Sequence, residues 1–448
     1  MPTSSPTTVA LISLGCPKNL VDAEHMLGLL AAEGFAVVED ATLAQVIIVN
    51  TCAFIEPAEQ EAIEALLDMA DLKQEGQCRA LLCTGCLSQR RGEELLAALP
   101  EVDGFLGVGG WPRIGELVRR TLAGERVFVS GDLTFSPNAH LPRWRSGPEW
   151  LAYLRIADGC SHRCAFCTIP HLRGAYRSRP VDDIVTEFRQ LAATGAQEVC
   201  LIAQDTTAYG RDLPDKPELA LLLRELGQVP FTGWLRVLYA HPQHVTDGLL
   251  RAMAQAPAVV PYLDIPLQHV SKAVLHRMNR RGSRQEFLDL VANIRRNLPG
   301  VAIRTTFIVG FPGETEADFA ELLAFLQEAE LDRVSAFRYW EEEGTAAATL
   351  PDQVPDEERD DRLARLLEVQ EPISLVVNQR LVGRELRVLV ESRAQGRLVG
   401  RSYRDAPEID GEVKILAGPA ELRHLPLGGF VQVRITRAEV HDLEGVVG

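Results

Sequence analysis

No stretch of this 448-residue chain holds the roughly 18 consecutive apolar residues that a bilayer-spanning helix needs, so a membrane span is not expected. The opening segment MPTSSPTT lacks both a basic stretch and an apolar core. A secretory signal is therefore not expected, and a cytoplasmic location is. Cysteine is scarce: nine residues, far below the ~8–10% of a disulfide-stapled scaffold. In a reducing compartment, a few cysteines at short regular spacing indicate metal or redox chemistry instead. Positive charge is short as well, with 46 Lys+Arg against 62 Asp+Glu and a net charge of −16. Such a surface repels nucleic-acid phosphates at long range and attracts basic partners. Long internal repeats and low-complexity tracts are absent, which argues against repeat architectures.

What is present is alternation. Strand-like runs at residues 9–14, 46–50 and 80–84 alternate with segments of helical apolar spacing at 21–33 and 58–73. That order predicts a parallel sheet with helices on its faces, a doubly wound α/β domain over residues 7–125. Residues 126–150 end in a stretch rich in Pro, Gly and Trp and read as a linker. Six further strand candidates, at 153–157, 198–203, 235–240, 262–266, 303–309 and 333–339, are separated by helical segments. Six β/α units predict a partial (β/α)6 barrel over residues 151–371, with function on the loops after the strands. From residue 372 short strands at 386–391, 397–403, 412–416 and 430–435 predict a small terminal β-barrel of the oligonucleotide-binding type. Residues 372–448 carry 11 Lys+Arg against 10 Asp+Glu, so this part is the least acidic without being basic.

The densest chemical signal is DGCSHRCAFCTIP, which sets Cys160, Cys164 and Cys167 at C-x3-C-x2-C spacing after the first strand of the second domain. Three thiolates on a short loop can hold three irons of a [4Fe–4S] cluster and leave the fourth iron open, as catalytic zinc sites keep an open position. A structural zinc site is the bland alternative, but zinc usually takes four ligands and no partner pair follows. A second set is dispersed. Cys16, Cys52 and Cys86 each follow a strand candidate of the first domain by one or two residues. Parallel sheets bind ligands beyond the carboxyl ends of their strands, so three such ends can bring three thiols to one edge. Alone, each of these cysteines would also suit a buried core position, as Cys83 and Cys200 do; Cys78 has no partner pattern. Gln204, Asp205, His241, Gln268, His269, Arg304 and Thr305 sit near strand ends of the second domain, where a barrel places its site. Each of them equally suits a structural hydrogen-bond network. His162, Arg163 and Arg173 flank the cysteine loop as cluster-tuning, substrate-binding or solvated residues.

The C-x3-C-x2-C loop resembles the radical S-adenosylmethionine (SAM) signature. Together with Cys16, Cys52, Cys86 and the terminal barrel, it makes the whole chain similar to the methylthiotransferase family. The resemblance implies an N-terminal cluster domain, a radical-SAM core and a C-terminal TRAM domain. It also implies two [4Fe–4S] clusters, one on each cysteine triad, and SAM as cofactor. Cys160, Cys164 and Cys167 would be the catalytic set. Phe166, Gln204, Asp205, Gln268, Arg304 and Thr305 would be the SAM-contacting set. SLGCPKNLVDAEHM, NTCAFIEPA, YLDIPLQH and TTFIVGFPGET look like the branch that modifies an aspartate of protein twelve of the small ribosomal subunit. That implies methylthio transfer to the aspartate β-carbon, a basic protein substrate, and a low-potential electron donor such as flavodoxin or ferredoxin. Arg338-Tyr339-Trp340 departs from the branch pattern by its bulk. The rivals are a transfer-RNA methylthiotransferase, disfavoured by the near-neutral terminal domain, and a non-catalytic zinc and RNA-binding module. The terminal domain carries no cluster cysteine and is expected to dock substrate from outside the catalytic core, so that its removal spares both clusters.

Overall fold

The computed structural model describes residues 6–394, 396–418 and 424–448. β1 (Thr8–Ser13), β2 (Ala36–Val37), β3 (Val46–Thr51), β4 (Ala80–Gly85), β5 (Gly104–Leu106) and β6 (Val127–Val129) form one sheet in the order β2-β1-β3-β4-β5-β6. Every pairing is parallel. Successive side chains of a strand face opposite sides. Val46 and Ile48 therefore pack with Ala23, Met26 and Leu30 of α1 (Pro17–Ala32), whereas Ile47 and Val49 pack with Ala62, Leu66 and Ala70 of α2 (Glu56–Glu75). α3 (Cys86–Ala98) joins α2, and α4 (Ile114–Leu122) joins α1. The sheet is doubly wound, and its order reverses between β1 and β3, the point where such folds bind ligands. β6 lies inside residues 126–150, so the stretch read as linker contributes the sixth strand of this sheet.

The second domain carries six parallel strands: β7 (Leu151–Arg155), β10 (Glu198–Ile202), β11 (Trp234–Val237), β12 (Tyr262–Asp264), β13 (Ala302–Val309) and β14 (Arg333–Arg338). Two short strands, β8 (Ala157–Asp158) and β9 (Arg177–Ser178), bracket the cysteine loop and α5 (Ile169–Arg173). The strands pair as β11-β10-β7 and β12-β13-β14, and a Leu235–Val259 bridge links the two halves into an open barrel. Outside it lie α6 (Val181–Ala193), α7 (Leu219–Leu226), α8 (Asp247–Gln255), α9 (Lys272–Arg277), α10 (Arg284–Asn297) and α11 (Glu316–Ala329). Val199 and Leu201 of β10 face these helices, while Cys200 and Ile202 face the lumen with Tyr153, Trp234 and Tyr262.

α12 (Asp356–Gln379) leads out of the barrel and runs straight through the boundary expected at residue 371, with Pro372 inside it. β15 (Glu385–Ala394), β16 (Arg397–Ser402), β17 (Val413–Leu416), β18 (Phe430–Ala438) and β19 (Leu443–Val447) then close a barrel in the order β15-β16-β17-β19-β18. This barrel is not peripheral. Leu389 and Ala406 belong to the lumen cluster of the larger barrel. Arg401 reaches Glu198 at 2.6 Å, and Glu198 holds Arg236 at 2.6 Å, all three buried. Asp410 accepts the Tyr262 hydroxyl at 2.6 Å and pairs Arg304 at 3.2 Å. The terminal barrel thus plugs the amino-terminal end of the (β/α)6 barrel, which corrects the expectation of a module outside the core. No helix among the described residues is long and apolar enough to cross a membrane.

Candidate active site

The dispersed triad is built by three strand ends. Cys16 is the N-cap of α1, Cys52 directly follows β3, and Cys86 is the first residue of α3. They lie within electrostatic reach of one another. Asn19 ties the ends together. Its side-chain amide donates to the carbonyls of Leu14 (3.2 Å) and Thr51 (2.9 Å), and its backbone carbonyl accepts from the Asn50 side-chain amide at 2.7 Å. The glycines that precede Cys16, Cys86 and Cys160 all have positive φ, at 84°, 92° and 72°. A Cβ on Gly15 would lie 2.6 Å from Cys52 Cβ, and one on Gly85 2.6 Å from the Thr51 carbonyl oxygen. Only glycine fits such a turn against a second backbone. Burial pushes the Cys52 thiol up and the Cys86 thiol up to about 12. At Cys16 burial acts the same way, but Lys18, Arg173 and the amides of Asn19 and Lys18 outweigh it and hold the thiol below its ordinary value. Cys16 is therefore the most readily ionised thiol of the set, at a helix N-terminus that favours anions.

The contiguous triad lies on the loop after β8. Cys160 N–H donates to the Gly174 carbonyl, Ala165 N–H to the Met278 carbonyl, and Arg280 Nη1 to Cys164 Sγ at 3.7 Å. Burial raises Cys160 to about 11 and Cys167 to about 12. Metal binding must therefore release protons here. Two buried polar atoms beside this loop lack hydrogen-bond partners, Gln204 Oε1 and Thr168 Oγ1. Orphaned groups of this kind fit a polar ligand seated on the loop, and three thiols with no fourth ligand fit a [4Fe–4S] cluster with an open iron.

Arg173 joins the triads. It is 1% exposed and donates to Asn19 at 2.6 Å, while pairing Asp22 at 3.0 Å and Asp158 at 3.4 Å. Its burial rules out the solvated-loop reading. Asn19 and Arg173 are each near one triad along the chain; only the fold brings Arg173 to Asn19.

The expected SAM set divides. Phe166 lies beside Cys167, and Gln204 donates to Asp158 at 3.3 Å. Asp205 accepts from His162 at 2.7 Å and His244 at 3.1 Å, and these bonds outweigh burial to hold its carboxyl well below the usual range. His162 stacks on His241 at 4.4 Å, and burial pushes His241 down to about 2, so it stays neutral. Arg163, Arg280, His162 and His241 line a cavity of about 380 Å³ against Cys164. Arg304 and Thr305, in contrast, are the third and fourth residues of the eight-residue β13, not at its carboxyl end. Arg304 is held between Asp264 and Asp410 in the lumen, and Thr305 donates to the Ile265 carbonyl. The space over Gly310 and Gly313 is filled by Arg359 and Arg277, so that turn packs against protein.

A second cavity, about 160 Å³, is lined by residues next to Cys52 and Cys167. Phe54 and Ile55, just past Cys52, line it together with Phe166, Gln268 and the β14 end from Phe337 to Trp340. Glu342 anchors the rim through Arg90 at 2.7 Å and the Glu56 amide at 2.8 Å.

Comparison with known proteins agrees with this architecture. The radical SAM superfamily matches residues 154–326, the uncharacterized protein family UPF0004 residues 8–107, and the TRAM domain residues 382–447. The chain is 48% identical to the ribosomal protein uS12 methylthiotransferase RimO of Geobacter sulfurreducens, over 98% of both chains. It is 49% identical to the protein of the same description from Anaeromyxobacter, over 98% of this chain and 93% of that one. Among solved structures it resembles the radical SAM methyltransferase TsrM of Kitasatospora setae, with TM-score 0.55 and 14% identity over 74% of this chain and 72% of that one. The cobalamin-dependent radical enzyme OxsB gives TM-score 0.51 and 13% identity over 81% and 56%. These two structures share the fold alone. By its full-length likeness to curated relatives, the chain belongs to the RimO family of radical-SAM methylthiotransferases.

Proposed function

We propose that the chain transfers a methylthio group to the β-carbon of an aspartate in ribosomal protein uS12, using two [4Fe–4S] clusters. The carrying observation is the cleft whose walls are the chain segments beside Cys52 and Cys167. Substrate placed there lies beside residues next to one cysteine of each triad. Cys160, Cys164 and Cys167 would hold one cluster, and Cys16, Cys52 and Cys86 the other. SAM held at the Cys160, Cys164 and Cys167 cluster would supply the radical chemistry that an unactivated C–H bond requires. The chain's own residues position the partners and exclude water. Gln204 and Thr168 offer polar contacts to SAM, Phe166 offers an aromatic face, and Phe54, Ile55 and Phe337 make the cleft apolar. Asn19 and Arg173 fix the distance between the triads. A ribosomal substrate puts the reaction in the cytoplasm, with a flavodoxin or ferredoxin as the expected electron source. Mass spectrometry of ribosomal proteins from cells with and without the gene tests the reading. The expected result is a methylthio-aspartate in uS12 that disappears with the gene. Methylthio-adenosine in transfer RNA with unmodified uS12 would move the chain to the other branch.

A further inference from the structure

The cleft beside Cys52 and Cys167 is apolar, yet the proposed substrate side chain is a carboxylate. Burying a carboxylate in such a place is costly unless a cation meets it. Among the described residues that line the cleft there is one cation, Arg338, at the last position of β14. The guanidinium lies over the Trp340 ring, 4.0 Å from its centroid, and the stack holds its plane. Arg338 and Trp340 both belong to the bulky Arg338-Tyr339-Trp340 segment that sets this sequence apart from its branch pattern. Arg338 donates only from Nη1, to Asp360 at 3.1 and 3.2 Å, with the exposed Asp356 carboxylate at 4.0 Å from the same atom; Nε and Nη2 have no partner among the described residues. The Asp360 side chain is 61% exposed, so this pair is weak and exchangeable. Glu342, the carboxylate of the lining, is already engaged by Arg90 and the Glu56 amide and does not compete.

We infer that Arg338, braced by Trp340, is the substrate-binding residue that recognises the carboxylate of the target aspartate. This rests on the substrate reading above. Arginine suits the task because its planar fork can give a carboxylate two parallel bonds, which lysine cannot. An anchored carboxylate leaves the β-carbon of the aspartate two bonds from the held oxygens, inside the same cleft. The inference makes Arg338 a specificity determinant, since an amide in place of the carboxylate loses the charge contact.

Equilibrium binding of uS12 to the anaerobically reconstituted enzyme tests it, with the native target aspartate and with that aspartate changed to Asn. Wild-type enzyme should bind the Asp form about 10-fold or more tighter than the Asn form. Arg338→Gln should bring the ratio close to one, and Arg338→Lys should leave an intermediate ratio. Iron content equal to wild type confirms that each variant is folded. A Gln variant that keeps the full wild-type preference overturns the inference, as does a wild type indifferent to the change. A wild type that binds neither form overturns the substrate reading and the inference with it.

Discussion

Each cysteine triad depends on single residues whose chemistry is steric as much as electronic. Gly15 has φ 84°, and a Cβ there would lie 2.6 Å from the Cβ of Cys52. Gly34 has nearly the same φ, 90°, with nothing within 4 Å. The pair separates backbone strain from collision. Gly34→Ala should cost about 1 kcal/mol and keep about eight irons per chain. Gly15→Ala should displace Cys52 and leave about four, read by iron and sulfide analysis. Equal iron in both variants would contradict the role given to the Gly15 turn. The C-x3-C-x2-C loop was legible in the sequence because its ligands are neighbours along the chain. The second triad was legible through its shared position after strands. Arg173 was legible only as a residue flanking the loop; its bond to Asn19 was not, because an asparagine and an arginine are ordinary surface residues until the fold buries them.

At the level of elements, periodicity located the six main strands of the second domain and β1, β3 and β4 of the first within a few residues, since buried parallel strands are short continuous apolar runs, but missed the short β2, β5 and β6. It failed where tertiary packing overrides local preference. Pro372 suggests a helix end, yet α12 continues through it with Leu366, Gln370, Ser374 and Val377 buried on either side. β19 was missed because LEGVV is brief and follows a charged turn. Arg304 and Thr305 were assigned to a strand end, but β13 begins at Ala302 and places them near its start. Connections between elements carry the largest buried charges. Glu187 of α6 binds Arg143 of the 126–150 segment and Arg179, each at 2.6 Å. Burial would raise its carboxyl, but the two arginines prevail and hold it at about 2. A depressed folded value means stability that is present above the ordinary 4.5 and lost as pH falls toward 2. Glu187→Gln should therefore lower stability by about 3 kcal/mol at pH 7. The gap from wild type in denaturant titrations should narrow as pH drops from about 4.5 to about 2. A gap that stays constant with pH would show that the ionised pair is not its source.

The whole molecule is organised around one lumen. Its amino-terminal end is sealed by the terminal barrel through Arg401, Glu198 and Arg236, and α1 reaches into it with Val21 and with Lys18, which lies 3.6 Å from the centroid of the Tyr239 ring. A composition count made the last 77 residues seem detachable, because their near-neutral charge and lack of cluster cysteines say nothing about contact. Removing one member of a buried ion group leaves the others uncompensated, at a cost of about 3–5 kcal/mol. Glu198→Gln should accordingly lower the melting temperature of the entire chain in a single transition. A separate, unshifted transition for the (β/α)6 domain would mean that the two barrels are independent. The same architecture puts the residues next to Cys52 and Cys167 on the lining of one cleft, and we propose that the two triads divide the work. The most direct test is one anaerobic reaction containing SAM, reductant and uS12, analysed by mass spectrometry for deoxyadenosine and for methylthiolated protein. Cys164→Ala should abolish both products, whereas folded Cys52→Ala should still release deoxyadenosine and yield no methylthiolated uS12. Equal loss of both products in folded Cys52→Ala would contradict the division of roles between the triads.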